Sequence, residues 1–441
     1  MYSGRLGELL EARKLDIGDF VRIKFKGAEK SGIIMPKDQF SRPEVLYIKL
    51  ANGYNIGILA DEIKGIEKCS ETDSGPQIRP RKISFDKTKP KISAVITGGT
   101  IASKVDYRTG GVTGLSKSGE ILENIPELSD IVNMECISPF TKMSEDLGHE
   151  DWIEIAKAVA KQLNNGDRGV IVTHGTDFLH YTSAALSFML RNLTKPVALV
   201  GSQRSSDRGS SDAGMNLICA AHIATGDIAE VGVCMHGSTN DDFCFFSRGT
   251  KVRKMHTSRR DAFRPINELP LAKVWTDGKI EKINPVQKKR SDGDVELDIA
   301  FEPKVAILKA YPDADPDVID YYIGKGYRGF VIETAGLGHV PTFAKKSWIE
   351  TIRKHTKDGI PFIGTAQTIY GRIDPSVYTN LRMLYHDAGA ICSSDMLTET
   401  AYVKLGWVLG HTEDIEEVRK MMLTNIAGEI TQRTLPETYL Y

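Results

Sequence analysis

The chain is 441 residues long, 41% hydrophobic and 26% charged, with a formal net charge of −1. That length carries two or three domains with substantial cores, and the even charge balance excludes a surface built as a whole to attract nucleic acid, though not a local basic patch. There is no run of eighteen apolar residues, and Met1-Tyr2-Ser3-Gly4-Arg5 opens no apolar signal core, so a cytoplasmic protein is expected.

Residues 1–70 form a separate small unit in this reading. Leu6 to Lys14 suggests a short helix. Asp19 to Lys26 then alternates, with Val21, Ile23 and Phe25 on one face and Arg22, Lys24 and Lys26 on the other. Further short strands are expected at Gly32 to Met35, Val45 to Leu50 and Tyr54 to Leu59, the last two joined by an Asn52-Gly53 hairpin signal. Short strands with tight turns predict a small SH3-like β-barrel. A docking or stabilising module is the plain expectation for it, and the lysine-bearing face is the one feature that favours RNA or partner binding. Residues 71–90 are polar, carry Pro76, Pro80 and Pro90, and predict a linker.

From Lys91 the pattern is strand, turn, helix, repeated. Strands are expected to end at Ile96, Val172, Val200 and Cys234 or Met235, with helices at Ser118 to Asn124, His149 to Asn164, Phe178 to Asn192 and Asp212 to Thr225. Alternating βα units imply a parallel sheet covered on both faces. Each strand is followed by glycine and a small hydroxyl residue: Gly98-Gly99-Thr100, Gly175-Thr176, Gly201-Ser202 and Gly237-Ser238. Such a rim suits a small polar ligand. A charged break, Gln287 to Asp298, separates a second α/β unit with strands at Val305 to Ala310, Gly329 to Glu333 and Pro361 to Gly364. Its helices are expected near Pro316 to Ile323, Phe343 to His355 and Ile415 to Ile426. The turn Ala335-Gly336-Leu337-Gly338 is expected to serve tight packing between domains. The six cysteines (Cys69, Cys136, Cys219, Cys234, Cys244, Cys392) form no Cys-x-x-Cys pair and the ten histidines show no metal spacing, so no metal is expected.

Two stretches share one design. Ile96-Thr97-Gly98-Gly99-Thr100 and Val172-Thr173-His174-Gly175-Thr176 both follow aliphatic-Thr-x-Gly-Thr, and Asp177 follows the second. In one parallel sheet both turns fall at the carboxyl ends of their strands, where open α/β sheets bind ligands. Glycine turns after strands also cradle phosphate. However, neither Gly-x-x-x-x-Gly-Lys-Ser/Thr nor Gly-x-Gly-x-x-Gly opening a helix occurs here, which makes a nucleotide site the poorer reading. Thr-Gly-Gly-Thr-Ile-Ala with His-Gly-Thr-Asp downstream resembles the bacterial-type L-asparaginase/glutaminase superfamily, from about Lys91 to the C-terminus.

That resemblance implies a fold of two parallel-sheet α/β domains, residues 91–286 carrying the catalytic residues and residues 303–441 following a 287–302 linker. It also implies a chemistry. Amide hydrolysis needs a nucleophile, a base and a stabilised oxyanion. The family sets a lysine beside a threonine and an aspartate, so Thr176, Asp177 and Lys254 are the implied set, with Lys251 as the fallback lysine and Thr100 as the nucleophile. Tyr107, in Asp106-Tyr-Arg-Thr-Gly-Gly-Val-Thr113, resembles the family's mobile-loop tyrosine, or else is an exposed loop aromatic. Gly99 and Gly175 would lie against the substrate. Ser144 and Glu145 match the position that holds the substrate's α-carboxylate and α-amino groups. Glu145 stands where free asparaginases often carry Gln, and would pair with an α-ammonium or cap the helix that starts near His149. Glu399 is the candidate to reach a neighbouring subunit's site.

About ninety residues precede the asparaginase-like part, whereas free asparaginases begin it almost at the N-terminus. With this extension the chain resembles the superfamily's tRNA-dependent amidotransferase branch. The implied assembly is a homodimer of this chain with a separate E subunit that binds Glu-tRNA(Gln). That subunit would use ATP and Mg²⁺, while this chain would need no cofactor and take glutamine as substrate. Two alternatives stand beside it: a free cytoplasmic L-asparaginase with an accessory domain, and a catalytically silent RNA- or protein-binding subunit.

Overall fold

The computed structural model describes residues 2–37, 42–50, 55–69, 86–99, 103–105, 112–114, 125–204 and 211–441. In the N-terminal unit a helix, Gly4–Ala12, precedes five antiparallel strands ordered Asn55–Leu59, Val45–Leu50, Ala28–Ile34, Phe20–Phe25 and Ile63–Lys68. The two edge strands are consecutive in the chain, separated only by the 3₁₀ turn Ala60–Glu62. Four residues of chain reach about 13 Å, whereas a flat sheet of five strands is about 19 Å across. The sheet must therefore curl, which is the barrel-like form expected of it. Val21 and Ile23 are fully buried with Leu6, Leu46 and Ile48. On the other face Arg22 meets Glu29 and Glu67, Lys24 meets Glu29, and Lys26 meets Glu62. Each of these three basic residues is set against a carboxylate in a surface pair. The Asn52-Gly53 turn lies outside the described residues, although the strands flanking it pair antiparallel from Lys49↔Asn55 to Val45↔Leu59.

Of the expected linker, residues 71–85 lie outside the described residues. Asp86 to Pro90 is held by Asn133, whose side chain accepts from the Asp86 amide at 2.9 Å and donates to the Lys89 carbonyl at 2.9 Å. Beyond it an eight-stranded sheet has five parallel strands, in the order Val231–His236, Val197–Val200, Val170–Thr173, Lys91–Ile96 and Asn133–Ile137. Val170 and Val172 face one core with helices His149–Asn164 and Leu179–Met189, while Ile171 between them faces a second core with Ala213–Thr225. That two-residue alternation with both faces apolar is what a doubly covered parallel sheet requires. Helix His149–Asn164 has the expected bounds, and Trp152, Ile155, Ala156 and Val159 are its buried stripe. The expected helix at Ser118 to Asn124 lies outside the described residues. Three antiparallel strands, Cys244–Arg248, Ala272–Val274 and Ile280–Lys282, extend one edge beyond the parallel part.

The second α/β unit is a four-stranded parallel sheet: Val305–Lys309, Gly329–Thr334, Phe362–Ala366 and Ile391–Cys392. Trp348, on helix Trp348–Lys357, packs into the core on one face, while helix Thr398–Leu409 covers the other and packs against Leu179–Met189 of the first unit. One hydrophobic core thus runs through both α/β units. Helix Trp348–Lys357 starts five residues later than Phe343, which is 84% exposed. The Gly336–Gly338 turn packs within its own domain: a Cβ on Gly338 would lie 2.7 Å from the Tyr385 hydroxyl, so the interdomain role expected for it is corrected. All six cysteines are free thiols. Among the described residues, no helix is long and apolar enough to cross a membrane.

Candidate active site

Strands Lys91–Ile96 and Val170–Thr173 run side by side in register, Ile96 opposite Thr173, so the twin turns emerge together. The Thr97 hydroxyl donates to the Thr173 carbonyl at 2.8 Å and ties the two strand ends. Gly98 and Gly99 take φ of +117° and +80°, a region open to glycine but strained for side chains. A Cβ on Gly99 would lie 2.3 Å from the Gly175 nitrogen; one on Gly175 would lie 2.8 Å from Ser144 Oγ. A Cβ on Gly201 would lie 2.8 Å from Thr176 Cγ2. Three bare backbones and the buried Ser144 therefore form one close-packed seam at the carboxyl ends of the strands. Thr100, directly after Gly99 in sequence, and Tyr107 lie outside the described residues.

Beside this seam stands Lys254, on the short strand Val252–Lys254 that pairs with Phe263–Pro265. Its Nζ donates to Thr176 Oγ1 at 2.8 Å and to Asp177 Oδ1 at 2.7 Å. The Lys254 side chain is 10% exposed and that of Asp177 is 65% exposed, so the lysine is sheltered while the carboxylate opens to solvent. Lys251 is elsewhere. It is fully buried, with Nζ 2.7 Å from Asp395 Oδ2 and 3.0 Å from the Asp395 carbonyl. Of the two candidate lysines, only Lys254 touches the Thr-Asp pair.

His174, inside the second turn, holds that turn's shape. Its Nδ1–H donates to the Gly175 carbonyl at 2.6 Å, and its Nε2 accepts from the Thr182 hydroxyl, 2.8 Å away. Burial holds its pKa down to about 4, so the ring stays neutral in this tautomer. The hydroxyl rim is narrower than expected, because Ser238 instead bonds Asp242 and the Asn240 carbonyl in an exposed turn.

Ser144 and Glu145 sit on the 3₁₀ turn Ser144–Asp146, where Ser144 is buried and Glu145 exposed. Both line a cleft of about 360 Å³ with Trp152, Phe178, Tyr181 and Tyr402. Glu145 does not cap the following helix. Asp151 does, accepting from the Gly148 amide at 3.0 Å while Lys142 holds its other oxygen at 2.7 Å. Glu399 is likewise turned inward. It is 5% exposed and its Oε1 lies 3.0 Å from the Arg253 guanidinium, so within this chain it faces the cavity shared with Lys254 and Asp177. Burial raises its pKa, and the Arg253 charge opposes that rise. His180 lies 3.9 Å from the same oxygen, and burial, then the nearby Arg253 and Lys254 charges, depress it to about 3. Sequence reasoning gave no role to His174, His180 or Arg253. The nearness of Arg253 to Lys254 in the basic run was the one available signal.

Three family models match the chain: "Asparaginase, N-terminal" over residues 91–287, "Glutaminase/Asparaginase C-terminal domain" over 304–422, and "GatD N-terminal domain" over 15–68. The D subunit of the glutamyl-tRNA(Gln) amidotransferase from Thermococcus kodakarensis is 51% identical, the match covering 99% of each chain. Its counterpart from Methanothermobacter thermautotrophicus is 44% identical, covering 98% of each. Among solved structures, the thermostable L-asparaginase from Thermococcus kodakarensis is similar at 32% identity with a TM-score of 0.68, over 78% of this chain and 100% of that one. L-asparaginase I from Vibrio cholerae is similar at 26% identity and a TM-score of 0.66, over 78% and 99%.

Proposed function

Because the chain belongs to the family of glutamyl-tRNA(Gln) amidotransferase D subunits, with α/β domains of the asparaginase type, we propose that it is the glutamine-hydrolysing subunit of a tRNA-dependent amidotransferase. The observation that carries this reading is the Lys254 side chain, whose Nζ lies 2.8 Å from Thr176 Oγ1 and 2.7 Å from Asp177 Oδ1 beside the glycine seam. A threonine hydroxyl is a poor nucleophile until a base takes its proton, and lysine can accept one once it is neutral.

In this mechanism Ser144 and Glu145 hold the α-carboxylate and α-ammonium of glutamine, and Gly99 and Gly175 let its carboxamide approach the backbone. Thr100 Oγ attacks the carboxamide carbon, and its proton passes by way of the Thr176 hydroxyl to the neutral amine of Lys254, which Asp177 orients. The proton returns to the nitrogen as the C–N bond breaks. Ammonia leaves, and a glutamyl ester stays on Thr100. Water then attacks that ester, giving up its proton to the same base, and glutamate departs as Thr100 is restored. Tyr107 completes the proposed catalytic set.

The ammonia passes to a separate E subunit, which binds Glu-tRNA(Gln) and activates its glutamyl carboxylate with ATP and Mg²⁺. Two copies of this chain form the homodimer at the centre of that cytoplasmic assembly, and the N-terminal unit is its docking module. The test is glutamine and asparagine hydrolysis by the chain alone and with the partner and Glu-tRNA(Gln). Ammonia release that rises on assembly, with nitrogen from labelled glutamine appearing in Gln-tRNA(Gln), is expected. Fast asparagine hydrolysis by the chain alone, unaffected by either addition, would instead make it a free asparaginase.

A further inference from the structure

The segment that carries Lys254 is gripped from both domains. Thr250 donates to the Ala427 carbonyl at 3.0 Å and its own carbonyl accepts from Thr400 at 2.9 Å. Lys251 pairs with Asp395 at 2.7 Å, and Arg253 with Glu399 at 3.0 Å. All four partners belong to the C-terminal domain, whereas Lys254 itself turns to Thr176 and Asp177 of the first domain. Successive side chains leave a strand on opposite faces. Arg253 and Lys254 therefore anchor one three-residue strand on two sides, so fixing Arg253 fixes the rotation of the strand and the direction in which Lys254 departs.

The carboxylate that fixes it is costly to bury. Glu399 Oε2 and His180 Nδ1 are buried polar atoms without a hydrogen-bond partner, and both residues line the same cavity of about 450 Å³ as Lys254 and Asp177. Buried ion pairs are weak contributors to stability, and apolar replacements often do as well. A half-satisfied charge beside a proton-transferring lysine calls for another reason.

We propose that Glu399 and Arg253 are a positioning pair that transmits the docking of the C-terminal domain to Lys254, so that deprotonation of the nucleophile requires the two domains to be seated on each other. Neither residue of the pair hydrogen-bonds Thr176 or Asp177 among the described residues, and the inference rests on Lys254 being the base. The groups facing Glu399 are Arg253 from the hairpin, His180 and Tyr181 from helix Leu179–Met189, and Glu333 from strand Gly329–Thr334.

The experiment measures glutamine hydrolysis by the assembled enzyme for Glu399→Gln, Arg253→Gln, Arg253→Lys and the Glu399→Gln/Arg253→Gln double variant, each with its melting temperature. Misplacing a catalytic group by a fraction of an ångström lowers the chemical step, so kcat is expected to fall about tenfold in each glutamine single variant. KM should stay within about twofold, because no substrate contact is removed. Arg253→Lys, which keeps the charge, should recover most of the loss. The double variant should be no slower than the slower single, since one interaction is lost in all three. Wild-type kcat in folded Glu399→Gln, or losses that multiply in the double variant, would overturn the proposal. Should Arg253→Gln not fold, Glu399→Gln and Arg253→Lys still decide it. Lys254→Ala separates this inference from the one beneath it. If that variant keeps full activity, Lys254 is not the base and the mechanism itself is wrong; if it is inactive while Glu399→Gln is normal, only the positioning role fails.

Discussion

Gly99 and Gly175 touch backbone to backbone: a methyl group on Gly99 would sit 2.3 Å from the Gly175 nitrogen. The contact joins two turns that are 76 residues apart, judged from the Thr97–Thr173 hydrogen bond at their bases. Gly99→Ala must either push the second turn away or lose its φ of +80°. Since Thr176 and Asp177 follow Gly175 directly, glutaminase activity is expected to fall about a hundredfold or more. Gly214→Ala is the control. It lies in helix Ala213–Thr225 with nothing within 4 Å of its added methyl, and should raise stability by about 1 kcal/mol. Activity assays and thermal melts of the two variants check this pair of outcomes.

The two lysines of the basic run should fail in different ways. Lys254→Arg keeps a cation beside Asp177 but stays protonated, so turnover is expected to vanish while the melting temperature changes little. Lys251, fully buried against Asp395, behaves as a structural pin. Lys251→Met takes the nearest cation from the buried Asp395 carboxylate, which keeps Thr431 and, at 3.9 Å, Arg372, and should cost about 3 kcal/mol of stability. Lys251→Arg is also costly, because a larger head group must enter a filled site. An active Lys254→Arg alongside a normally stable Lys251→Met would reverse these assignments.

Two histidines next to the site tie stability to pH. Burial depresses His174 to about 4 and His180 to about 3, both below the unfolded value near 6.5. For groups depressed in this way the stabilising contribution is complete above the unfolded pKa. It is lost as pH falls towards the folded values, because the unfolded chain takes up protons first. Stability should therefore drop between about pH 6.5 and pH 4. His180→Phe removes one of the two titrations, so its loss over that interval should be smaller by on the order of 3 kcal/mol. Denaturant melts at both ends of the interval measure the difference. Equal slopes for the wild type and the variant would count against a neutral buried His180.

Local pattern made part of this molecule legible in sequence and contact across long separations hid the rest. Helix His149–Asn164 is amphipathic, and its buried stripe could be read residue by residue. Helix Thr398–Leu409 could not, because Ala401, Val403, Leu405, Trp407 and Val408 wrap most of its circumference in apolar surface packed between domains. A helix apolar all round shows no period against a polar face. The seam was visible as a repeated turn. The choice of Lys254 over Lys251 came from the family resemblance and not from local pattern, since the partner that occupies Lys251 is Asp395, 144 residues further on. The pairing of Glu399 was hidden for the same reason: its partner Arg253 belongs to another domain.

The N-terminal unit supplies the last test. Its core is built from its own residues, Leu6, Val21, Ile23, Ile34, Leu46, Ile48 and Ile66 among them. The site, in contrast, is assembled wholly from residues beyond Lys91: the glycine seam, Ser144, Thr176, Asp177 and Lys254. Deleting residues 1–70 therefore removes no group from the chemistry and no side chain from the core shared by the two α/β units. The truncated chain should melt as a single cooperative unit at a temperature close to that of the full chain. If the unit is a docking module, its loss should act on coupling rather than on hydrolysis. Basal ammonia release would be retained, while the acceleration by partner and Glu-tRNA(Gln), and the recovery of glutamine nitrogen in Gln-tRNA(Gln), would be lost. Steady-state ammonia assays with and without the partner separate the two. Undiminished stimulation of the truncated chain would show that the partner docks on the α/β domains alone, and would leave the curled sheet a stabilising role only.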